Sequence, residues 1–81
     1  MSCEIKINSL SDIQSIFFAA IGCSDIIEVA DCQGTVADAK SILGLMALDC
    51  SAPVSLLGHP SAVDRVYEAF YARTQPLKSA M

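Results

Sequence analysis

The chemistry-bearing residues of this 81-residue chain are few, and their spacing decides what they can do. There is one histidine, His59, followed by a proline in His59-Pro60-Ser61. A single imidazole can move a proton or accept a phosphoryl group only with an acid or base beside it, and no such partner adjoins it in sequence. It reads as a solvated loop residue or a helix cap. Four cysteines (Cys3, Cys23, Cys32, Cys50) form no Cys-x-x-Cys pair, and one histidine is too few to complete a zinc site with them. No basic residue flanks Cys23, Cys32 or Cys50 to lower a thiol pKa. The cysteines are expected to be small separate hydrophobes in a reducing cytosol, without metal or cofactor. Ser41 remains, standing before Ile42-Leu43-Gly44-Leu45-Met46-Ala47-Leu48 and between Asp38 and Asp49. A serine here caps a helix by accepting from the amide of residue 43 or 44. A phosphoryl group on it would be favoured by the helix N-terminus.

The elements that must position these residues follow from periodicity. Glu4 to Asn8 alternates polar and apolar, which puts Ile5 and Ile7 on one face of a strand. Ser11 with Gln14 has the spacing of a capping box, and Ile13, Ile16, Phe17, Ala20 and Ile21 trace one side of a helix that Gly22 ends. Asp25 to Ala30 is a second strand, Asp31 to Gly34 a turn, and Thr35 to Ala37 a third strand. The Ser41 helix places Ile42, Leu45 and Met46 on one face. A loop over 49–53 leads to a fourth strand, Val54 to Leu57, which stops at Gly58. Ser61 and Asp64 suggest the cap of a last helix, with Val63, Val66 and Phe70 toward the core and Pro76 as its stop; residues 77–81 read as a frayed tail. The chain is therefore a single α+β domain, residues 1–81, in the order β-α-β-β-α-β-α. The natural solution is a two-layer sandwich with three helices on one face of a sheet.

Composition narrows the partners. Five Lys and Arg against nine Asp and Glu give a net charge of −4, which excludes the clustered cations that nucleic acid or an anionic membrane surface requires. The longest strongly apolar run, near Ile16 to Ile21, is far short of the ~20 residues that span a bilayer. A soluble, cytoplasmic protein is expected. Hydrophobic residues make up 53% of the chain and charged ones 17%, an excess that suggests an exposed contact patch or a self-association face.

The run Ala39-Lys40-Ser41-Ile42-Leu43-Gly44-Leu45-Met46-Ala47-Leu48 closely resembles the regulatory-serine segment of HPr, the phosphocarrier of the bacterial phosphoenolpyruvate-dependent sugar phosphotransferase system. The order of elements from Glu4 to about Arg73 fits that family as well. The resemblance implies an open-faced sandwich with a four-stranded antiparallel sheet and three helices. It also implies a regulatory phosphoserine at Ser41, which in the family shifts the protein toward transcriptional control of carbon use. An apolar docking patch for partner proteins is implied at Ile42, Leu45 and Met46.

Against this stands a departure. In the family a Gly-Leu-His-Ala-Arg-Pro type motif opens the first helix, and its histidine carries the phosphoryl group. Here the segment reads Ser9-Leu10-Ser11-Asp12-Ile13-Gln14. Ser11 falls at the histidine position, or Gln14 if the alignment slips, and Asp12 would repel an incoming phosphoryl group. The expectation is a non-enzymatic HPr-like regulator or adaptor that binds a regulator, a kinase or a phosphotransferase component. Two alternatives stand beside it: a phosphocarrier that uses another residue, and a self-associating module on the same fold.

Overall fold

The computed structural model describes residues 2–74. Seven elements follow in the expected order: β1 (Ser2–Ile5), α1 (Leu10–Ile21), β2 (Ile27–Ala30), β3 (Val36–Asp38), α2 (Ile42–Met46), β4 (Val54–Gly58) and α3 (Pro60–Thr74). The strands form one antiparallel sheet in the order β1-β4-β2-β3. This is the open four-stranded α+β sandwich expected. Pro76 and the tail over 77–81 lie outside the described residues.

Alternation sets the two faces of the sheet. Ile5, Ile27, Val29, Ala37, Val54 and Leu56 are buried and face the helices, with Ile13, Ile16, Leu45, Val63, Val66 and Phe70 packed over them. Glu4, Glu28 and Asp38 alternate with those residues and are exposed on the opposite face. Ala39 donates to the Ile27 carbonyl and Asp31 to that of Thr35, so the intervening Glu28 and Asp38 stand opposite each other in a non-hydrogen-bonded pair. That is where cross-strand side chains come closest, and two carboxylates there are an electrostatic cost.

Several local expectations need correction. The first strand is earlier than Glu4 to Asn8, because its partner register runs out: Ile5 pairs with Val54, and the next partner, Pro53, has no N–H to give the ladder. Ile7 is buried all the same. The second strand starts at Ile27 rather than Asp25, and the third runs one residue further, to Asp38. The cap of α1 is Ser9, not Ser11. The Asp12 amide donates to Ser9 Oγ (3.3 Å), and Asp12 reaches back to accept from the Asn8 amide (2.8 Å). A carboxylate thus plays the role expected of Gln14, two residues earlier. Ile21 is half exposed rather than part of the core.

The last helix begins at Pro60, whose missing N–H costs nothing in a first turn. His59, rather than Ser61, is the residue that caps it. The His59 carbonyl accepts from Val63 (2.9 Å), and its Nδ1 accepts from the Ser61 amide (3.3 Å) while lying 3.0 Å from Ser61 Oγ. Gly58 just before it is required by space: a Cβ there would stand 2.8 Å from the Ile26 carbonyl oxygen, at φ +155°. Val63, Val66 and Phe70 are buried as expected.

Candidate functional site

Helix α2 is built from its cap upward. Asp38 Oδ1 accepts from the Lys40 amide (2.8 Å), which turns the chain out of β3. Ser41 is then extended (φ −118°, ψ 105°), and its Oγ accepts from Gly44 at 3.2 Å. Gly44 lets this short helix lie close: a Cβ on it would sit 3.2 Å from Ser41 Oγ and 3.3 Å from Ala37 Cβ. The capping role of Ser41 is therefore realised, while the residue itself is exposed.

The apolar residues of α2 divide. Leu45 is 0% exposed and Leu48 is buried; both belong to the core. Ile42 is half-buried and packs against it. Leu43 is 76% exposed and Met46 53%. The expected docking trio of Ile42, Leu45 and Met46 is thus corrected at Leu45, which no partner can reach in the folded chain. Leu43 and Met46, not Leu45, are the large apolar side chains that α2 leaves exposed. A five-residue helix shows scarcely more than one turn, so periodicity alone could not separate its two sides.

At the start of α1, Ser11 and Gln14 are both exposed. The Ser11 carbonyl accepts from Ser15 Oγ at 3.1 Å. The Asp12 amide is engaged with Ser9 Oγ, and the buried Asp12 carboxylate, which accepts from the Asn8 amide, places a negative charge where an anion would have to approach the first turn. His59 lies at the other end of the helical layer. Ser61, Ala62 and Arg65, which follow it, line a small cavity with Cys23, Ser24 and Asp25 beyond the C-terminus of α1. It cannot assist a nucleophile at Ser11 or Gln14.

A polar junction that the sequence reading did not assemble joins the β2–β3 turn to the loop after α2. Asp31 Oδ1 accepts from the amides of Gln33 (2.9 Å) and Thr35 (2.8 Å), and its Oδ2 from the Asp49 amide (2.8 Å). The Asp49 amide leads the causes that hold the Asp31 carboxyl below its ordinary range. Asp49 in turn accepts from the Ser51 hydroxyl (2.6 Å), the Ser51 amide (3.0 Å) and Gln33 Nε2 (3.3 Å). Led by the Ser51 hydroxyl, these bonds lower its pKa to about 2. Cys32 Sγ lies 3.7 Å from Asp49 Oδ2. Desolvation, then the Asp49 charge, pushes the Cys32 thiol up, and burial does the same to Cys50. The four cysteines are free and separate, with Cys32 exposed, Cys23 buried, and Cys3 and Cys50 between these extremes. Thiols held protonated are poor nucleophiles, and carboxylates already saturated with donors are poor bases, so the junction is a clamp between two loops. The signal was present in the sequence: an Asp three residues before a Gly, with Gly34 at φ +86°, marks an Asx-type turn.

Two further observations bear on partners. An open cleft of about 470 Å3 is lined by Glu4, Lys6, Asn8, Pro53, Phe70 and Tyr71, and the Lys6 ammonium donates to the Cys50 carbonyl (2.7 Å) at its margin. Among the described residues no helix is long and apolar enough to cross a membrane, and no group of three or more His, Cys, Asp or Glu is placed to hold a metal ion. No family model matches this chain, and no curated protein matches it at a significant level.

Proposed function

We propose that this chain is a non-catalytic regulatory or adaptor module, similar to HPr in plan, that recognises another protein through the exposed side of α2. The observation that carries the reading is the pair Leu43 and Met46, 76% and 53% exposed, on a helix whose capping serine is also exposed. Large apolar side chains in such a position are anchors for a partner groove, and methionine adapts to irregular ones. The resemblance over Ala39–Leu48 supports Ser41 as a phosphorylation site. A phosphoryl group there would add about −1.5 to −2 charges within one turn of Leu43 and within two turns of Met46. A partner that reads an apolar face would then meet a dianion at its edge, so modification switches recognition.

The engaged polar groups at the start of α1 support the non-catalytic part of the reading. Phosphoryl relay by the family mechanism needs a histidine and cations where this chain has Ser11, Asp12 and Gln14. The test uses the whole chain as bait against lysate of its host, in the native form and as Leu43→Asp, Met46→Asp and Ser41→Asp. Capture by the native chain that Leu43→Asp and Met46→Asp abolish, and that Ser41→Asp alters, is the expected result. The reading fails if both anchor variants retain every bound protein. The switch fails if an HPr-type serine kinase with ATP leaves the mass of the chain unchanged while modifying a control phosphocarrier.

A further inference from the structure

Hydrogen-bond alternation across the sheet fixes which main-chain groups its edges leave open. Ala39 donates to the Ile27 carbonyl and Asp31 to that of Thr35, so Ile27, Val29 and Asp31 bond toward β3. Glu28 and Ala30 then bond toward β4, to Leu57 and Ser55. That leaves Val54 and Leu56 to bond Ile5 and Cys3 of β1. The N–H and carbonyl of Glu4 therefore face outward, at the edge of the sheet. Lys6 continues on the same side. Pro53 across from it has no N–H, and among the described residues no main-chain bond engages the N–H or carbonyl of Lys6. Both side chains are exposed, and with Ile5 they line the open cleft of about 470 Å3 whose other wall is Phe70 and Tyr71. An edge of this kind is a template for another strand.

We infer that the strand added at this edge is β1 of a second copy of the chain, antiparallel, about a twofold axis at Ile5. Glu4 then stands opposite Lys6 of the second copy, Lys6 opposite Glu4 of the second copy, and the two Ile5 residues face each other. Each Glu4–Lys6 pair exchanges both N–H···O bonds, as in any antiparallel ladder, and sets a carboxylate beside an ammonium.

Charge selects this occupant. An antiparallel strand that satisfies the edge carries, from its N-terminus, an acid for Lys6, an apolar residue beside Ile5 and a cation for Glu4. Glu4-Ile5-Lys6 is that order. A slip to the next hydrogen-bonding register would set Glu4 against Glu4 or Lys6 against Lys6, so repulsion excludes the neighbouring registers. Charged side chains on an edge ordinarily block added strands; an acid and a cation at alternate positions block all but a complementary one. The opposite edge lacks these features. At β3 the outward residues are Val36 and Asp38, and the Asp38 carbonyl already accepts from the Ser41 amide (2.9 Å). Self-pairing about Ala37 would set a carboxylate against Val36. Since α2 packs against β3, at the far edge, the inference does not rest on the reading of α2.

Sedimentation velocity on the whole chain from about 1 µM to about 1 mM tests the contact. The weight-average mass is expected to rise from 8.6 kDa toward twice that value. Over the same range the amides of Glu4 and Lys6 are expected to exchange with deuterium more slowly, and that of Val36 at an unchanged rate. Glu4→Lys and Lys6→Glu each set like charges in both pairs and are expected to weaken association about tenfold or more. Mixed in equal amounts, the two variants present Lys against Glu in both pairs, and association is expected to return. Lys6→Glu also loses the bond to the Cys50 carbonyl; the mixture keeps that loss, so recovery reports the charge pairing alone. Both positions are exposed, and far-UV circular dichroism checks that each variant folds. A chain that stays at 8.6 kDa throughout overturns the inference. Single variants that associate at native strength, or a mixture that does not recover, overturn it too. So does association lost in Leu43→Asp but kept in both charge variants, which moves the contact to α2.

Discussion

Replacing Leu45 by alanine separates the two sides of α2 more sharply than any other single change. Leu45 is 0% exposed and sits among Ala37, Leu48 and the buried residues of α1, so alanine removes three buried carbons and leaves a cavity. Such truncations cost about 2–5 kcal/mol. A domain of 81 residues has a total stability of roughly 4–12 kcal/mol, so the variant loses a large fraction of it. The matching change at Leu43, 76% exposed, removes the same atoms from water-facing surface and is expected to stay within about 0.5 kcal/mol. Urea titration followed by far-UV circular dichroism reads both, since the chain has no tryptophan to follow. At an unchanged urea slope, the Leu45→Ala midpoint should fall steeply and that of Leu43→Ala should not. In a thermal scan the difference amounts to roughly 10 °C or more. Equal stability of the two variants would refute the assignment of Leu45 to the core and Leu43 to the surface.

The cap of α1 gives a second contrast: Ser9→Ala is expected to cost about 1 kcal/mol and Ser11→Ala less than about 0.5 kcal/mol, by the same titration. The acid limb of stability should depend on Asp49. Its folded pKa, about 2, lies below the ordinary 3.8, so its contribution is fully present above about pH 4 and is lost as pH falls through 3.8 toward 2. Asp49→Asn should flatten the stability–pH curve in that window, and an unchanged slope between pH 4 and 2 would show that the Ser51 and Gln33 bonds do not form in solution.

The sequence carried the fold wherever a period was long enough to read. Twelve residues of α1 and fifteen of α3 repeat their apolar positions several times, and the core assignments of Ile13, Ile16, Val63, Val66 and Phe70 hold. Boundaries were less legible because partners set them. β1 ends where Pro53 stops the ladder, a fact that belongs to β4. Caps were shifted at both long helices, since Ser9-x-x-Asp12 and Ser11-x-x-Gln14 overlap and local spacing cannot rank them. The Asp31–Asp49 junction spans eighteen residues of sequence and arises only when β3 and α2 fold back over the turn. The exposed side of α2 was half legible: Met46 is exposed, whereas five residues leave Leu43 and Leu45 indistinguishable before packing is known.

What the molecule offers a partner follows from what its polar groups are already doing. Among the described residues no buried side-chain nitrogen or oxygen lacks a hydrogen-bond partner. Asp12, Asp31 and Asp49, the carboxylates placed to act as bases, each accept backbone amides that fix a turn or a cap. Chemistry at these positions would require breaking the contacts that set the local fold, and burying such a group unpaired costs about 1–3 kcal/mol. The apolar side chains follow the opposite logic. Leu10, Phe18, Ile21, Leu43 and Met46 remain exposed although the core they border is complete, and covering them costs no hydrogen bond. These exposed apolar side chains, rather than the engaged polar groups, are what the proposed recognition rests on. On α2 the proposed recognition would set Leu43 and Met46 beside an exposed capping serine, Ser41, whose modification would recharge that edge.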